Sequence, residues 1–210
     1  ILITAGPTFE KIDPVRFIGN YSSGKMGYAV ADEAARRGAD VILVSGPVSV
    51  HSVEQGVTVV SVESAKQMLA ECEKFFPDSD IAVMCAAVAD YAPANTADKK
   101  IKREKQDIPV INLVKNPDIA ATLGLRKKDG QTLVGFALET DNEQSNALEK
   151  LERKNLDLIA LNSLRTPGAG FGTDTNVITL IDRKGEVTPL PLMTKPEAAS
   201  ALWDYLTGIE

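Results

Sequence analysis

The chain has 210 residues, of which 44% are hydrophobic and 25% charged, so it can form one sizeable core or two small lobes and has the composition of a globular protein. Its formal net charge of −6 argues against a general nucleic-acid binder, and no apolar run reaches the roughly 20 residues that a membrane helix needs. Two cysteines and one histidine argue against a disulfide framework and a zinc site, so we expect a cytoplasmic protein that binds neither nucleic acid nor a membrane.

Strands and helices alternate in the first half of the chain. The sequence "ILITAG" (1–6) is short and apolar and ends in glycine, which predicts a buried parallel strand. Apolar and small residues recur at helical spacing in "GKMGYAVADEAARRGA" (24–39), which predicts a helix that ends near Gly38. The elements predicted next are strands at 40–47 and 57–62, a helix at 63–76 and a strand at 80–91 that runs into a loop.

The second half begins with a charged excursion and then resumes the alternation. Residues 92–107 are polar and charged and predict a mobile segment. A helix is predicted at 116–128, with Asn116 as its cap and Pro117 in its first turn. The remaining predictions are strands at 108–114, 132–140 and 156–162, a helix at 142–155, a hairpin at 175–192 that turns at 182–186, and a last helix at 195–206.

This pattern indicates an α/β fold: a doubly wound, mostly parallel, Rossmann-like sheet with helices on both faces and a C-terminal β-hairpin. Right-handed crossovers place the carboxyl ends of the parallel strands at one edge, where ligands bind. Gly6, Ser45 and residues 86–90 and 136–140 lie at or just past predicted strand ends. We therefore expect the functional site among them.

The sequence "GNYSSGKMG" (19–27) has the glycine–lysine spacing of a P-loop, but Met26 stands where that loop has serine or threonine. More than ten residues also separate it from Gly6, whereas a P-loop or a dinucleotide fingerprint follows its strand directly. A simpler interpretation is an anion site made by free N–H groups at a helix start, with Lys25 nearby. Alternatively, one of the serines caps the helix and the glycine eases its packing, and the motif alone leaves both open.

Five sequence blocks occur together and in order: "GPT…DPVRFIGNYSSGKMG", "AAVADY", "KIKR", "VKNPDI" and "GFALET". Together they resemble the phosphopantothenate–cysteine ligase family in its bacterial form, over nearly the whole chain. The resemblance implies one ligase domain over 1–210, in which the excursion at about 91–108 forms a flap. It also implies a flavin-dependent decarboxylase domain, with FMN, that precedes this chain, which would explain the start without methionine.

The resemblance also implies an activity. The family joins 4′-phosphopantothenate to L-cysteine in coenzyme A biosynthesis, and its bacterial members use CTP. The carboxylate forms an acyl-cytidylate with release of pyrophosphate, and the cysteine amine then displaces CMP. Mg²⁺ is expected to arrive with CTP, with Glu139 as an ambiguous ligand, and a homodimer is expected, with the C-terminal hairpin as a contributor.

Carried over by motif, Asn20 would be catalytic, its carboxamide binding the carbonyl or developing oxyanion, and Ser22, Ser23 and Gly24 would receive the phosphate of phosphopantothenate. The alternative for Asn20 is a helix cap or a turn residue. Cys85 is expected to be a small buried residue rather than a nucleophile.

Lys100 matches the first lysine of the family's K-x-K-K stretch and would neutralise phosphate charge, whereas Arg103 replaces the last lysine. Without the resemblance, a solvated surface run would be the better interpretation of these residues. The nucleotide-binding residues implied are Met84, Cys85, Ala86, Asp90, Lys100, Pro117, Asp118, Ile119, Ala120, Phe136, Lys150 and Lys154, with a core role as the alternative for Phe136.

Two other functions remain possible from the sequence alone. One is an NAD(P)-dependent oxidoreductase of Rossmann type, although no Tyr-x-x-x-Lys pair lies within a predicted helix. The other is a non-catalytic module that binds a nucleotide without turning it over.

Overall fold

The computed structural model describes residues 1–102, 110–139, 143–163 and 172–208. A single-turn 3₁₀ helix spans Phe76–Asp78. The other elements are β1 (Leu2–Ala5), β2 (Phe9–Lys11), β3 (Phe17–Gly19), α1 (Lys25–Arg36), β4 (Val41–Ser45), β5 (Val57–Ser61), α2 (Ala65–Phe75), β6 (Ile81–Met84), β7 (Tyr91–Pro93), β8 (Leu113–Lys115), α3 (Ile119–Arg126), β9 (Thr132–Glu139), α4 (Glu143–Arg153), β10 (Leu158–Ser163), β11 (Thr175–Asn176), β12 (Ile178–Asp182), β13 (Val187–Pro189), β14 (Met193–Thr194) and α5 (Lys195–Thr207).

The central sheet has eight strands in the order β13-β12-β10-β9-β6-β1-β4-β5. Six neighbouring strands of this sheet run parallel, namely β10, β9, β6, β1, β4 and β5. β12 pairs antiparallel with β10, and β13 pairs antiparallel with β12, so these two strands complete the sheet as a hairpin. From β1 the chain winds to β4 and β5 on one side, and then returns to β6 on the other side of β1. The predicted doubly wound sheet with its C-terminal hairpin is confirmed, and its switch point lies between β1 and β6.

Helices cover both faces of the sheet, because strand side chains alternate between two separate cores. On one face α1 and α5 pack over Ile3 and Leu43, and Trp203 of α5 donates from Nε1 to the Val30 carbonyl at 2.9 Å. On the other face α2, α3 and α4 pack over Leu2 and Leu133. Among the described helices, none is long and apolar enough to cross a membrane.

Helix α1 approaches β1 closely, which fixes the position of its first turn. A Cβ atom at Gly27 would lie 2.6 Å from the Cβ of Ala5 and 3.1 Å from the carbonyl oxygen of Thr4. Any larger side chain would push the helix off the strand. The glycine therefore serves helix–sheet contact, and it places the start of α1 beside the carboxyl end of β1.

Two small two-stranded hairpins project from the sheet. β2 pairs with β3, with the rings of Phe9 and Phe17 stacked at 3.7 Å, and β7 pairs with β8. Strands of three residues are too short for periodicity to detect. Several large apolar side chains on or beside these hairpins are exposed, namely Val15, Phe17, Tyr91, Leu113 and Val114.

Two local predictions need correction. Of the strand predicted at 108–114, the described residues show only Leu113–Lys115, which closes the base of the excursion by pairing with β7. The predicted cap Asn116 does not cap α3, since Asp118 occupies that position. Residues 103–109 of the predicted flap, including Arg103, lie outside the described residues.

Candidate functional site

A cavity of about 620 Å³ opens at the carboxyl ends of the parallel strands. Its floor includes Thr4 near the end of β1, Met84 at the end of β6, Phe136 in β9 and Asn162 in β10. This is the edge at which open α/β sheets bind ligands, and the volume is in the range of small-molecule sites. The sequence placed the site at this edge.

Apart from Lys100, every residue to which the resemblance assigns a catalytic or binding role lines this cavity, whereas Gly6 and Ser45, also expected near the site, are not part of its lining in the described portion of the chain. Lys100 is exposed, and it is not part of the lining in the described portion of the chain. The residues that the cavity brings together are Asn20, Ser22, Ser23, Gly24, Met84, Cys85, Ala86, Asp90, Pro117, Asp118, Ile119, Ala120, Phe136, Lys150 and Lys154. Their proximity is an observation, whereas their individual roles stay predictions.

The first turn of α1 is open toward the cavity. Its N-cap is Gly24 with φ of 77°, and no side chain of the described residues caps it. The Ser22 hydroxyl instead accepts from the Gly24 amide at 3.3 Å. Of the two interpretations that the motif allowed, a serine cap is therefore not the one seen, and the first N–H groups of α1 keep their capacity for a ligand.

Asn20, which directly follows β3, links this segment to the loop after β6 by hydrogen bonds. Its Nδ2 donates to the carbonyls of Ala87 at 2.9 Å and Val88 at 3.1 Å. These acceptors fix which end of the amide faces the loop, because a carboxamide oxygen in that place would meet two carbonyl oxygens. Donation from Asn20 to a reacting oxygen therefore requires one of these hydrogen bonds to break, whereas the amide oxygen remains available as an acceptor.

The start of α3, at another part of the cavity, is capped by a carboxylate. Asp118 accepts from the Ala121 amide at 3.1 Å and pairs with Lys154 Nζ at 3.0 Å. Partial burial raises the pKa of Asp118, but the Ala121 amide and Lys154 outweigh it and hold that pKa below its usual value. The Ala121 amide at this helix start is therefore already paired, in contrast to the uncapped start of α1.

Asn116 has a different task from the predicted cap. Its backbone amide donates to the Asp90 carbonyl at 2.9 Å, and its Nδ2 donates to the Ala89 carbonyl at 2.8 Å. Asn116 therefore joins the segment before α3 to the loop after β6, as Asn20 does from the other side. The three segments together form one wall of the cavity.

The segment that carries Lys100 is held at its base by an ion pair between the buried Asp13 carboxylate and the half-exposed Arg16 side chain. The side chain of Asp13 is fully buried, pairs with Arg16 and accepts from the Ile101 amide at 3.1 Å. Arg16 also donates to the Ile101 carbonyl at 3.0 Å. The Arg16 hydrogen bond holds the pKa of the Asp13 carboxyl well below its usual range. Residue 101 is thus anchored to the hairpin of β2 and β3, next to Lys100.

Sequence reasoning missed a polar cluster beside the start of α1. Lys25 pairs with Asp174 at 2.6 Å, and Asn176 and Lys195 line the same end of the cavity, both almost fully buried. The sequence did contain a sign that Lys195 has a role other than helix formation, because a lysine is unfavourable at the first position of a helix. Its burial depends on contacts with β11, which no local pattern reveals.

Cys85 and the carboxylates of the cavity limit the chemistry available. Burial raises the pKa of the Cys85 thiol to about 12, so it is not a thiolate at neutral pH, although Cys85 is half-buried rather than fully buried as expected. No group of three or more potential metal ligands occurs among the described residues. Asp90 and Asp118 are the carboxylates in the described lining of the cavity, and Asp118 is already paired.

Comparisons of the sequence give a family and named relatives. A family model described as DNA/pantothenate metabolism flavoprotein C-terminal domain matches residues 1–209. The chain is 55% identical over 200 residues to a cysteine/cysteine sulfinic acid decarboxylase from an unknown prokaryotic organism, covering 95% of this chain and 55% of that protein. It is 45% identical over 203 residues to the coenzyme A biosynthesis bifunctional protein CoaBC of Vibrio cholerae, covering 96% of this chain and 50% of that protein. The chain thus spans about half the length of these curated relatives.

A solved structure matches more completely. The crystal structure of the C-terminal domain of the coenzyme A biosynthesis bifunctional protein CoaBC superimposes with a TM-score of 0.81 at 43% identity. The match covers 98% of this chain and 92% of that chain. The eight-stranded sheet and its surrounding helices are therefore shared with a domain of about the same extent.

Proposed function

Because the chain belongs to the family of DNA/pantothenate metabolism flavoprotein C-terminal domains, as its motifs predicted, we propose that it is a phosphopantothenate–cysteine ligase of coenzyme A biosynthesis. The observation that carries the proposal is the uncapped start of α1 at the switch point, in a cavity that holds the residues of the family motifs. The name of the CoaBC relative agrees with this pathway. The substrates proposed are CTP, 4′-phosphopantothenate and L-cysteine.

The proposed reaction has two steps. A carboxylate oxygen of 4′-phosphopantothenate attacks the α-phosphorus of CTP, and the bond to the β-phosphate oxygen breaks, which releases pyrophosphate and leaves an acyl-cytidylate. The amine of cysteine then attacks the acyl carbon, the bond to the CMP oxygen breaks, and the amine loses a proton. The protein must hold several anions together and keep water from the activated acyl group.

The two helix starts divide this work in the proposal. The free N–H groups after Gly24 and the cationic side chains beside them suit a phosphoryl group. The Asp118–Lys154 pair at α3 already contains a carboxylate, which suits the polar edge of a base better than a phosphate. Phe136 lines the cavity and offers an apolar face to the same ligand.

In the proposed mechanism Asn20 and Lys100 are catalytic, and each side chain must change its contacts or its position when the substrates bind. The Asn20 amide must exchange one of its loop carbonyls for the reacting oxygen, so its donor capacity becomes available only when the ligand is bound. Lys100 is anchored through Ile101 but lies outside the cavity lining, so its charge must move toward the triphosphate. Both roles are consistent with a site that is completed by its substrates.

Mg²⁺ and FMN enter the proposal in different ways. With no larger metal cluster among the described residues, Mg²⁺ would be held mainly by the phosphate oxygens of CTP, and Asp90 is the described cavity carboxylate without an ion pair. When bound, Mg²⁺ would neutralise charge on the phosphates. We assign FMN and the decarboxylase activity that names one relative to the part of such proteins that this chain does not span.

A homodimer in the cytoplasm completes the proposal. The predicted contribution of the C-terminal hairpin has less support than another surface, because the exposed apolar side chains Val15, Phe17, Tyr91, Leu113 and Val114 lie on or beside the small hairpins. Burying such a patch favours association. We therefore assign the dimer contact to these hairpins.

The experiment that tests the proposal measures pyrophosphate release by the purified chain. Release is expected only when CTP and 4′-phosphopantothenate are both present, and sustained turnover only when cysteine is added. Release without 4′-phosphopantothenate, or none under any condition, would contradict the ligase and favour a nucleotide-binding module. Substitution of ATP for CTP gives the nucleotide preference.

The oxidoreductase alternative has one feature that sequence reasoning overlooked. Tyr21 and Lys25 have the Tyr-x-x-x-Lys spacing, but Tyr21 precedes α1 and is 94% exposed, and Lys25 pairs with Asp174. The two side chains therefore do not form the pair that polarises a carbonyl. A fluorescence titration with NADPH is expected to show no binding.

A further inference from the structure

Lys195 is a buried lysine at the end of the cavity formed by the start of α1. It is 6% exposed, is the first residue of α5 and lines the cavity. A buried ammonium is costly unless its charge is compensated, and the positive end of a helix makes this position more costly. The nearest acid on its own helix, Glu197, is engaged in a capping box with Thr194. Something other than helix capping must account for this lysine.

Hydrogen bonds from Lys195 reach three consecutive carbonyl groups. Its Nζ donates to the carbonyls of Thr173 and, at 3.2 Å, of Thr175, and its backbone amide donates to the carbonyl of Asp174 at 2.9 Å. An ammonium has three N–H donors, so one is left without an acceptor in the described ranges. Lys195 thus holds the segment before β11 and retains one donor in the wall of the cavity.

The charges at this end of the cavity do not balance. Asp174 is paired with Lys25 at 2.6 Å, and no carboxylate of the described residues lies within ion-pair distance of Lys195. Burial, and then the charge of Lys25, lowers the pKa of Lys195, while Asp174 opposes that shift. The Cys85 thiol adds no charge at neutral pH, since burial raises its pKa to about 12. One positive charge is therefore in excess beside the uncapped start of α1.

We propose that Lys195 supplies the positive charge that balances a phosphoryl group bound at the start of α1. Asp174 neutralises Lys25 in the ligand-free protein, so Lys195 is the cation that remains for the ligand. The inference rests on the proposed function and deepens it. The phosphoryl group belongs to the nucleotide, to 4′-phosphopantothenate or to both, and these share the same chemistry.

The first test titrates inorganic pyrophosphate into the full chain by calorimetry. Lys195→Met keeps the apolar stem but removes the charge, and it is expected to weaken pyrophosphate binding roughly tenfold or more, the range for a charged hydrogen bond. Lys195→Arg keeps the charge and is expected to stay within about threefold of the parent protein. Unchanged affinity in Lys195→Met would overturn the proposal.

Lys127→Met is the matched control for the loss of a buried lysine. The Lys127 side chain is 10% exposed, pairs with Asp157 at 2.7 Å and does not line the cavity in the described part of the chain. This variant is expected to lose thermal stability while it keeps its pyrophosphate affinity. Equal losses of affinity in both variants would attribute the effect of Lys195 to folding and would contradict the proposal.

Asp174→Asn separates a charge role from a purely structural one. If charge matters, removal of this carboxylate releases Lys25 and is expected to tighten pyrophosphate binding about threefold. An affinity that stays unchanged or falls would show that charge at this end of the cavity does not set pyrophosphate binding, and it would contradict the proposal even if Lys195→Met does not fold.

The source of the phosphoryl group and the proposed function are tested separately. CTP and 4′-phosphopantothenate are each titrated alone, and the ligand weakened by Lys195→Met identifies the group that Lys195 balances, whereas no effect on either overturns the proposal. Turnover by the parent protein is measured in parallel. If ligase activity is missing but pyrophosphate binding changes as expected in the variants, the proposed function is refuted and the assignment of Lys195 stands. If ligase activity is present but pyrophosphate binding does not change in Lys195→Met, the function stands and the assignment of Lys195 is refuted.

Discussion

Two helices begin at the same cavity, and their first turns are satisfied in opposite ways. α1 starts at Gly24, without a capping side chain among the described residues, and has an excess cation beside it in Lys195. α3 starts at Asp118, whose carboxylate accepts from the Ala121 amide and pairs with Lys154. An incoming anion therefore meets free N–H groups at one helix start and a carboxylate at the other.

The contrast teaches that a helix N-terminus in a ligand cavity is not by itself an anion site. Both helix dipoles have the same sign and similar strength, so the dipole does not distinguish them. The N-cap residue does, because glycine leaves the donors of the first turn unpaired and aspartate both pairs one and adds a negative charge. The distribution of caps thus gives the cavity one end with unpaired N–H groups and another end that already carries a carboxylate.

The largest expected effect comes from a substitution that strains the backbone at the uncapped start of α1. Gly24→Ala forces φ of 77° on an alanine and places its Cβ 2.7 Å from Cγ1 of Val48. The left-handed conformation alone costs about 1–2 kcal/mol, and the clash shifts the first turn of α1. We expect at least a tenfold loss of pyrophosphate affinity together with a lower unfolding free energy.

The control for this substitution is Gly38→Ala. Gly38 has φ of 92°, but a Cβ atom added there would have no neighbour within 4 Å among the described residues, and it lies at the other end of α1. The variant is expected to lose stability from backbone strain and to keep its pyrophosphate affinity. A Gly24→Ala protein that binds pyrophosphate as the parent does would remove the distinction between the two helix starts.

A smaller effect is expected from making the start of α3 resemble that of α1 in charge. Asp118→Asn keeps a good N-cap but releases Lys154 from its ion pair. The net charge of this end of the cavity rises by one, so pyrophosphate affinity is expected to increase about two- to fivefold. Asp129→Asn changes the total charge equally in an exposed turn outside the described cavity lining and is the control. An increase as large in the control would mean that global charge, not the cap, sets the affinity.

The sequence predicted much of this arrangement, and the omissions have physical reasons. Glycine-terminated apolar runs and helical spacing located the parallel strands and α1, and strand ends located the cavity. Asn116 and Asp118 are both good N-cap residues two positions apart, and only the capture of Asn116 by the Ala89 carbonyl decides between them. Short hairpins carry too few residues to show a period.

The charged residues were hardest to predict. Lys100 stood in a recognisable motif, yet its position depends on Asp13 and Arg16, which are distant in sequence. Lys195 stood in no motif, and its burial comes from carbonyl groups of residues 173–175. Motifs therefore located most residues that line the cavity, whereas the charge balance of the site became visible only from tertiary contacts.

The smallest expected effect is a pH-dependent difference in stability at the start of α3. Because the folded-state pKa of Asp118 lies below its usual value of 3.8, its carboxylate contributes stability at neutral pH that is lost as pH falls through the folded-state pKa. Asp118→Asn lacks this contribution. The melting temperature of the parent protein should therefore exceed that of the variant at neutral pH, and the gap should close as pH falls below about 4, measured by thermal unfolding at a series of pH values. A gap that stays constant down to acid pH would show that the Lys154 pair and the charged cap do not stabilise α3.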